Sequence, residues 1–249
     1  MRLRRRVAIG FALLVALPIA SSTGCTMLNV RDDWRAARRD SSLQAPDPAA
    51  HREAIVQVYG ARTVGLRGAL AVHTWIAVKP SGAAEYTRYE VMGWGVMRGY
   101  PALRVTRGNA DNYWFGAEPR KLVDRRGEGV DALIAQIERA VESYPYRDSY
   151  RTWPGPNSNT FVAHIGRSVP ELRLELPPTA IGKDFLPNGD VAARAPSGTG
   201  FQLSVFGVIG VMLAASEGVE LNLLGLTFGV DLGAPGIKLP GLGRVGIPK

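Results

Sequence analysis

Residues 68–78 read GALAVHTWIAV, and this stretch decides the fold class. Its alternation is typical of a β-strand and places His73 and Trp75 on one face and Thr74 on the other. Residues 86–94 have the composition of a second strand, and a Pro-x-Gly turn lies between the two. The sequence therefore predicts an antiparallel hairpin.

Other segments carry their own signals. Residues 54–59 predict a third short strand, bounded by polar residues and glycine. Apolar residues at helical spacing predict an amphipathic helix over 131–143, and a polar Asn-Ser-Asn start predicts a second helix over 157–166. The glycine-rich stretch 198–231 predicts two strands, and 236–249 predicts a surface tail. The expected fold is α+β, an antiparallel sheet with two principal helices and a Gly-rich C-terminal β extension.

The composition is that of a folded protein without a disulfide or metal framework. The 249 residues are 46% hydrophobic and include one Cys and three His, and they contain no Cys/His zinc spacing. The formal charge of +8 comes from 30 Lys and Arg against 22 Asp and Glu, but four arginines lie within residues 2–6. Without them the balance is 26 against 22, a net of +4, and no basic run with interleaved aromatics remains. We therefore expect no metal, no other cofactor and no nucleic-acid partner.

Residues 1–25 have the organisation of an export signal, because a basic start is followed by an apolar run over 7–20 and then by small residues. The run is shorter than the about 20 residues of a membrane-spanning helix. Cys25 behind a small residue resembles a bacterial lipoprotein signal, cleaved before Cys25 and lipidated on it. An uncleaved anchor and a cleaved soluble protein are the alternatives. Residues 26–52 are predicted to be a tether, and 53–249 a single α+β domain outside the membrane.

Three polar residues are candidates for chemistry. His73 lies on a small-residue strand face and can point into a cleft. Glu90, on the partner strand, falls roughly across from it, within reach of one imidazole nitrogen. Ser158 opens the second predicted helix, where unpaired N–H groups and the helix dipole favour negative charge. Structural roles also fit: a buried His bonded to a carbonyl, a Glu that faces solvent or pairs with Arg88, and an N-cap at Asn157 or Ser158.

Six motifs are distinctive: YGAR at 59–62, HTWIAVKP at 73–80, YEVMGWG at 89–95, WPGPNSNTF at 153–161, IGKD at 181–184 and LPGLG at 239–243. Together they resemble the bacterial "domain of unknown function 3750" family. The resemblance covers nearly the whole chain after the predicted tether. It implies no particular activity.

The order of the candidates is also similar to that in circularly permuted NlpC-type papain-like amidases and related peptidases. That resemblance implies that His73 is the base, Glu90 the residue that orients it, and Ser158 the nucleophile position, where those families carry Cys. A serine is nucleophilic only while its base removes the proton. Aromatic and amide residues of the same motifs are the predicted binding residues: Trp75, Trp94, Trp153, Asn157 and Asn159.

The sequence thus predicts a cell-envelope protein with a papain-like cleft, anchored to the membrane by an N-terminal lipid or helix. It would act as a Ser/His/Glu hydrolase or acyltransferase on an amide- or acyl-containing envelope substrate, with the backbone N–H groups of Ser158 and Asn159 binding the oxyanion. The alternative is a catalytically retired module that binds an envelope ligand or has a structural role.

Overall fold

The structure is a computed structural model that describes residues 16, 20–23 and 36–248. Most of the predicted export signal, including Cys25 and its predicted lipidation, lies outside these residues. The described chain folds into two antiparallel sheets with helices, which confirms the α+β class. None of the helices in the described ranges is long and apolar enough to cross a membrane.

The first sheet has five antiparallel strands in the order β4-β3-β2-β1-β5. The predicted hairpin supplies two adjacent strands of this sheet, β2 and β3. The side chains of β2 and of its other neighbour, β1, are buried along nearly their whole length. The strands are β1 (Ile55–Arg62), β2 (Val72–Lys79), β3 (Tyr86–Val91), β4 (Leu103–Gly108) and β5 (Arg120–Arg126).

Two helices, α1 (Val130–Glu142) and α2 (Ser158–Ser168), pack on one face of this sheet. The apolar stripe predicted for the first helix is buried, and Ile137 packs in one core with Ile76 of β2 and Phe161 of α2. The predicted alternation of β2 is confirmed, because Trp75 belongs to a separate cluster on the opposite face.

That opposite face is covered by the loop 109–119 and by the chain that precedes β1. Asp111 is the centre of this contact: its carboxylate accepts hydrogen bonds from the Ser41 hydroxyl at 2.7 Å and from the backbone N–H groups of Gln44 and Ala45 at 2.6 and 2.9 Å. The part of the predicted tether that the structure describes is therefore bound along the domain surface.

The second sheet has seven antiparallel strands in chain order, from β12 at one edge to β6 at the other. The stretch 198–231 was predicted to form two strands but forms four, β7 to β10, because each strand is only six residues long. The turn predicted at 216–218 lies between β8 and β9. The strands are β6 (Ala192–Arg194), β7 (Gly200–Val205), β8 (Ile209–Ala214), β9 (Gly218–Leu223), β10 (Leu226–Asp231), β11 (Gly236–Leu239) and β12 (Gly243–Gly246).

Three predictions of chain path are wrong. The stretch 236–249 is not a surface tail, because it supplies β11 and β12, whose alternating Ile237, Lys238 and Leu239 continue the sheet. The strand predicted over 68–78 begins later, after a 3-10 helix at Gly65–Ala69. Likewise, the strand predicted over 86–94 ends at Val91.

Candidate functional site

A cleft of about 400 Å³ opens where β2 begins and β3 ends. Its lining combines residues from these two strand ends with the start of α2 and the loop that precedes it, including His73, Trp94, Trp153 and Ser158. The volume lies within the range of roughly 300–1,000 Å³ that is typical of small-molecule sites. The fold thus brings the predicted base and the predicted nucleophile to one cavity.

His73 is buried and hydrogen-bonded to Glu90, as predicted. Its Nε2 lies 3.0 Å from Oε2 of Glu90, and Nη2 of Arg88 donates to the same oxygen at 2.8 Å. Burial raises the pKa of Glu90, but the hydrogen bonds and charges of His73 and Arg88 outweigh burial and hold that pKa below its usual value. Glu90 is therefore a carboxylate at neutral pH.

This carboxylate fixes the tautomer of His73. An ionised carboxylate only accepts hydrogen bonds, so Nε2 of His73 carries the proton and Nδ1 carries the lone pair. Burial lowers the pKa of His73, and this effect exceeds the opposing effect of Glu90. Nδ1 has no hydrogen-bond partner among the described residues. The arrangement is that of a neutral imidazole base oriented by an acid.

Aromatic rings hold the plane of the imidazole. The Trp114 ring stacks on His73 with centroids 3.6 Å apart and an interplanar angle of 10°. Trp94 stacks on Trp114 at 5.5 Å, so a row of rings runs from the buried His73 to the half-exposed Trp94. This row forms an apolar wall of the cleft.

Asn157, and not Ser158, caps helix α2. Its Oδ1 accepts from the backbone N–H groups of Asn159 at 2.9 Å and Thr160 at 3.1 Å, and Oγ1 of Thr160 accepts from the N–H of Asn157 in return. Ser158 occupies the first helical position. In the described part of the chain, neither its hydroxyl nor its N–H has a hydrogen-bond partner. Capping therefore does not account for Ser158.

The same geometry limits the predicted oxyanion site. The N–H of Asn159 is bonded to Asn157, so it is not available to a developing oxyanion. The N–H of Ser158 remains, at the positive end of the helix dipole.

His73 and Ser158 face the cleft without touching each other. His73 lies on the sheet face away from the helices, whereas its neighbour Thr74 lies on the helix face and donates to Oδ1 of Asn159 at 2.9 Å. No hydrogen bond joins the His73 ring to the Ser158 hydroxyl within the described residues. Contacts between catalytic groups often form only when substrate is bound.

The predicted binding residues are placed in three ways. Trp94 and Trp153 line the cleft with about half of their surface exposed, at 50% and 45%. Trp75 differs from the prediction: it is fully buried behind His73, and its indole N–H donates to the carbonyl of Ala110 at 2.7 Å. Asn157 and Asn159 border the cleft, but their amide N–H groups donate to backbone carbonyls.

Several residues at the cleft carry no signal in the sequence. Trp114 comes from the loop 109–119, which has no periodicity and lies 41 residues after His73. Tyr150 reaches the cleft because its ring packs against Gly93, where an added Cβ would lie 2.6 Å from the ring. Arg88 was expected only as an alternative to His73 as the partner of Glu90, but it binds the same carboxylate oxygen as His73 does. No three His, Cys, Asp or Glu side chains are grouped as metal ligands in the described ranges.

Gly182→Ala is expected to lower the free energy of unfolding by about 2–3 kcal/mol. The alanine would have to adopt a left-handed backbone conformation, and its Cβ would displace the Asn157 side chain that caps α2. Gly182 has φ +97°, and an added Cβ would lie 2.7 Å from Cγ of Asn157. Gly189→Ala is the matched control, because Gly189 has φ +78° with open space around its Cβ position. Urea denaturation of both variants measures the difference. Equal losses would show that Gly182 does not support the Asn157 cap.

Comparison with known proteins identifies the family. Residues 53–185 of the 249 match the family model described as "Protein of unknown function (DUF3750)". The match includes the five-stranded sheet, both helices and the cleft, and it ends before the seven-stranded sheet begins. No curated protein matches the chain, and neither does any solved structure. On the strength of this match, the chain belongs to the DUF3750 family.

Proposed function

We propose that the cleft is a hydrolase or acyltransferase site in which Ser158 attacks an amide or ester carbonyl. The supporting observation is that the hydroxyl of Ser158, left free by the Asn157 cap, shares a cleft with a neutral His73 whose tautomer is fixed by Glu90. The serine, the base and the orienting acid are the three parts that acyl transfer by serine requires.

In the proposed reaction, Nδ1 of His73 takes the hydroxyl proton while Oγ of Ser158 bonds to the carbonyl carbon. The oxyanion develops near the N–H of Ser158. The imidazolium, stabilised by the Glu90 carboxylate, then gives its proton to the leaving amine or alcohol, and an acyl-serine remains. Water would release the acyl group in a hydrolase, and a second amine or hydroxyl would take it in an acyltransferase. This order of residues is the basis of the proposed kinship to permuted papain-like amidases.

A second candidate function is a binding module in a retired active site. The absence of a hydrogen bond between the His73 ring and the Ser158 hydroxyl among the described residues favours it, because a site that only binds does not need that contact. The cleft would then hold a ligand against the aromatic wall of Trp94 and Trp114.

Labelling with a fluorophosphonate separates the two functions. The probe phosphonylates only activated serines, so the wild-type chain is expected to react, whereas Ser158→Ala and His73→Ala lose at least 90% of the label, as roughly expected when a triad member is removed. Ser168→Ala, at the exposed end of the same helix, is the control and should label normally. A wild-type chain that does not label, or a label that persists in Ser158→Ala, would favour the binding module.

The cellular setting is proposed from the sequence. A basic start and an apolar run over 7–20 support export and membrane attachment, through a lipid on Cys25 or through the segment itself. Within that setting the substrate class is an amide- or acyl-containing molecule of the cell envelope.

A further inference from the structure

The seven-stranded sheet has its polar and apolar faces reversed. The face that packs on the rest of the protein carries Lys238, Glu220, Asn222 and Gln202, all buried. Arg167 links it to α2, because its Nη2 donates to Gln202 at 2.7 Å. Antiparallel sheets ordinarily bury the apolar face and expose the polar one.

The outward face is apolar across six neighbouring strands. The pairing registers align three rows of residues on it, and none of the rows contains a charged residue between β7 and β12. Eleven of these side chains are between 38% and 74% exposed: Phe201, Leu203, Val205, Ile209, Val211, Leu213, Val219, Leu221, Val230, Ile237 and Val245. We call this surface the apolar face.

The apolar face is about as large as the largest apolar patch on a typical monomer, and patches of that size are often functional. Six strands spaced about 4.8 Å apart, with about 3.3 Å of rise per residue, make a surface of about 24 by 17 Å. A contiguous apolar surface of several hundred Å² marks an interaction site.

Two hairpin tips extend the apolar character beyond the sheet. Phe206 and Leu224 lie at the β7–β8 and β9–β10 turns, are 64% and 65% exposed, and have φ +51° and +55°. Such left-handed turn positions favour Asn, Asp or Gly, so a bulky apolar residue there is disfavoured by the backbone and by solvent. An apolar partner at these tips would offset that cost.

The end of the N-terminal segment lies at the same sheet. The hydroxyl of Ser22 donates to the carbonyl of Ala69 and, at 3.3 Å, to the carbonyl of Gly241 in the β11–β12 turn. The apolar run over 7–20, preceded by arginines at 2, 4, 5 and 6, therefore joins the described chain beside the apolar face. A single helix is about 10 Å wide and spans less than half of a 24 Å face, so the occupant of this face is larger than one segment of this chain.

We propose that, in the uncleaved chain, the apolar face docks on the lipid bilayer to which the apolar run over 7–20 attaches the protein. An uncharged surface flanked by apolar tips fits the acyl boundary of a bilayer, and a short connection from the membrane segment holds it there. The face also borders the cleft, since the indole N–H of Trp153 donates to the carbonyl of Leu224 at 2.9 Å. Docking brings the cleft mouth to the lipid surface. If the proposed acyl transfer holds, the substrate class is an amphiphile reached from the membrane.

A fluorophore on the apolar face tests the docking. The uncleaved full chain, attached by the run over 7–20, carries Cys25→Ser so that Val211→Cys is its single thiol. It is labelled with NBD and reconstituted in vesicles of phosphatidylcholine and phosphatidylglycerol. We expect a blue-shifted emission, a several-fold rise in intensity and quenching by doxyl-labelled lipids. Ala135→Cys on the exposed surface of α1 is the control and should remain quenched by aqueous iodide.

Two results would overturn the proposal. One is an NBD group at Val211 that stays accessible to iodide in vesicles while the chain is bound to them. The other is efficient oxidative cross-linking of Val211→Cys between chains, which would identify a second copy as the occupant. Leu221→Cys provides a second position on the face if Val211→Cys does not fold. A failure of Ser158 to react with fluorophosphonate affects the proposed function alone and leaves these readings unchanged.

Discussion

Ser158→Cys, made together with Cys25→Ser, is expected to create a thiol whose pKa lies well below the ordinary value of about 8.5. The side chain would stand at the first position of α2, where the helix dipole favours a thiolate, in the same cleft as the Nδ1 lone pair of His73. The rate of alkylation by iodoacetamide, measured against pH, reports this pKa directly. We expect a midpoint below pH 7.5 and, at pH 6, a reaction about tenfold faster than that of an ordinary thiol, after allowance for the lower nucleophilicity of a stabilised thiolate.

Three further variants separate the causes of that reactivity. Ser168→Cys, at the exposed C-terminal end of the same helix, should titrate near pH 8.5. Adding His73→Ala or Glu90→Gln to Ser158→Cys should move the midpoint upward, because the thiolate then loses its imidazolium partner or the group that orients it. A midpoint near 8.5 in a folded Ser158→Cys chain, unchanged by His73→Ala, would contradict the catalytic proposal. This experiment needs no knowledge of the substrate.

Local pattern predicted much of the site because the signals were local. The alternation of β2 placed His73 beside Trp75, and the short hairpin brought Glu90 to it without any need for distant contacts. The start of α2 was predicted from Asn157 and Ser158, although sequence alone left open which of the two is the cap. The capping box resolved that alternative, because it needs an acceptor at Asn157 and a hydroxyl at Thr160.

Long-range contacts were not predictable in this way. Trp114 reaches His73 from an irregular loop, and the approach of Tyr150 depends on the missing side chain of Gly93. In the C-terminal region, Glu220 and Asn222 are polar residues within the glycine-rich, mostly apolar stretch 198–231. They lie on the inward face of β9, where both are buried. The alternation of polar and apolar residues in β9 could not be assigned to an inward and an outward face from the sequence, because the polar surface on which the sheet packs was not known.

That polar surface contains a buried ion cluster. It lies between the part of the chain that matches the family model, residues 53–185, here called the family domain, and the seven-stranded sheet. Glu220 pairs with Nζ of Lys183, the lysine of the Ile-Gly-Lys-Asp motif at 181–184, and with Nζ of Lys238 at 2.6 Å. All three side chains are at most 2% exposed. Burial raises the pKa of Glu220, but the two lysines outweigh it and keep that pKa below its usual value. The carboxylate is therefore ionised at neutral pH and compensates two buried cations.

Glu220→Gln is expected to lower the free energy of unfolding by about 3–5 kcal/mol, because it keeps the shape of the side chain and leaves two buried ammonium groups without their shared partner. Glu175→Gln is the control. Glu175 also contacts Lys238, at 3.0 Å, but its side chain is 23% exposed, so we expect a loss of only about 1 kcal/mol or less. Urea denaturation followed by circular dichroism compares the two variants.

The multiple variant Lys183→Met, Asp184→Asn, Glu220→Leu and Lys238→Met tests the same cause from the opposite direction. It includes Asp184 because that buried carboxylate lies 3.7 Å from Nζ of Lys183. Replacing a whole buried ion cluster with apolar residues of similar size is often neutral or stabilising, whereas breaking it by one change is not. We therefore expect the multiple variant to regain most of the stability that Glu220→Gln loses. A Glu220→Gln chain within about 1 kcal/mol of the wild type would mean that water or neighbouring groups already compensate the lysines, and the cluster would then contribute little to holding the sheet on the family domain.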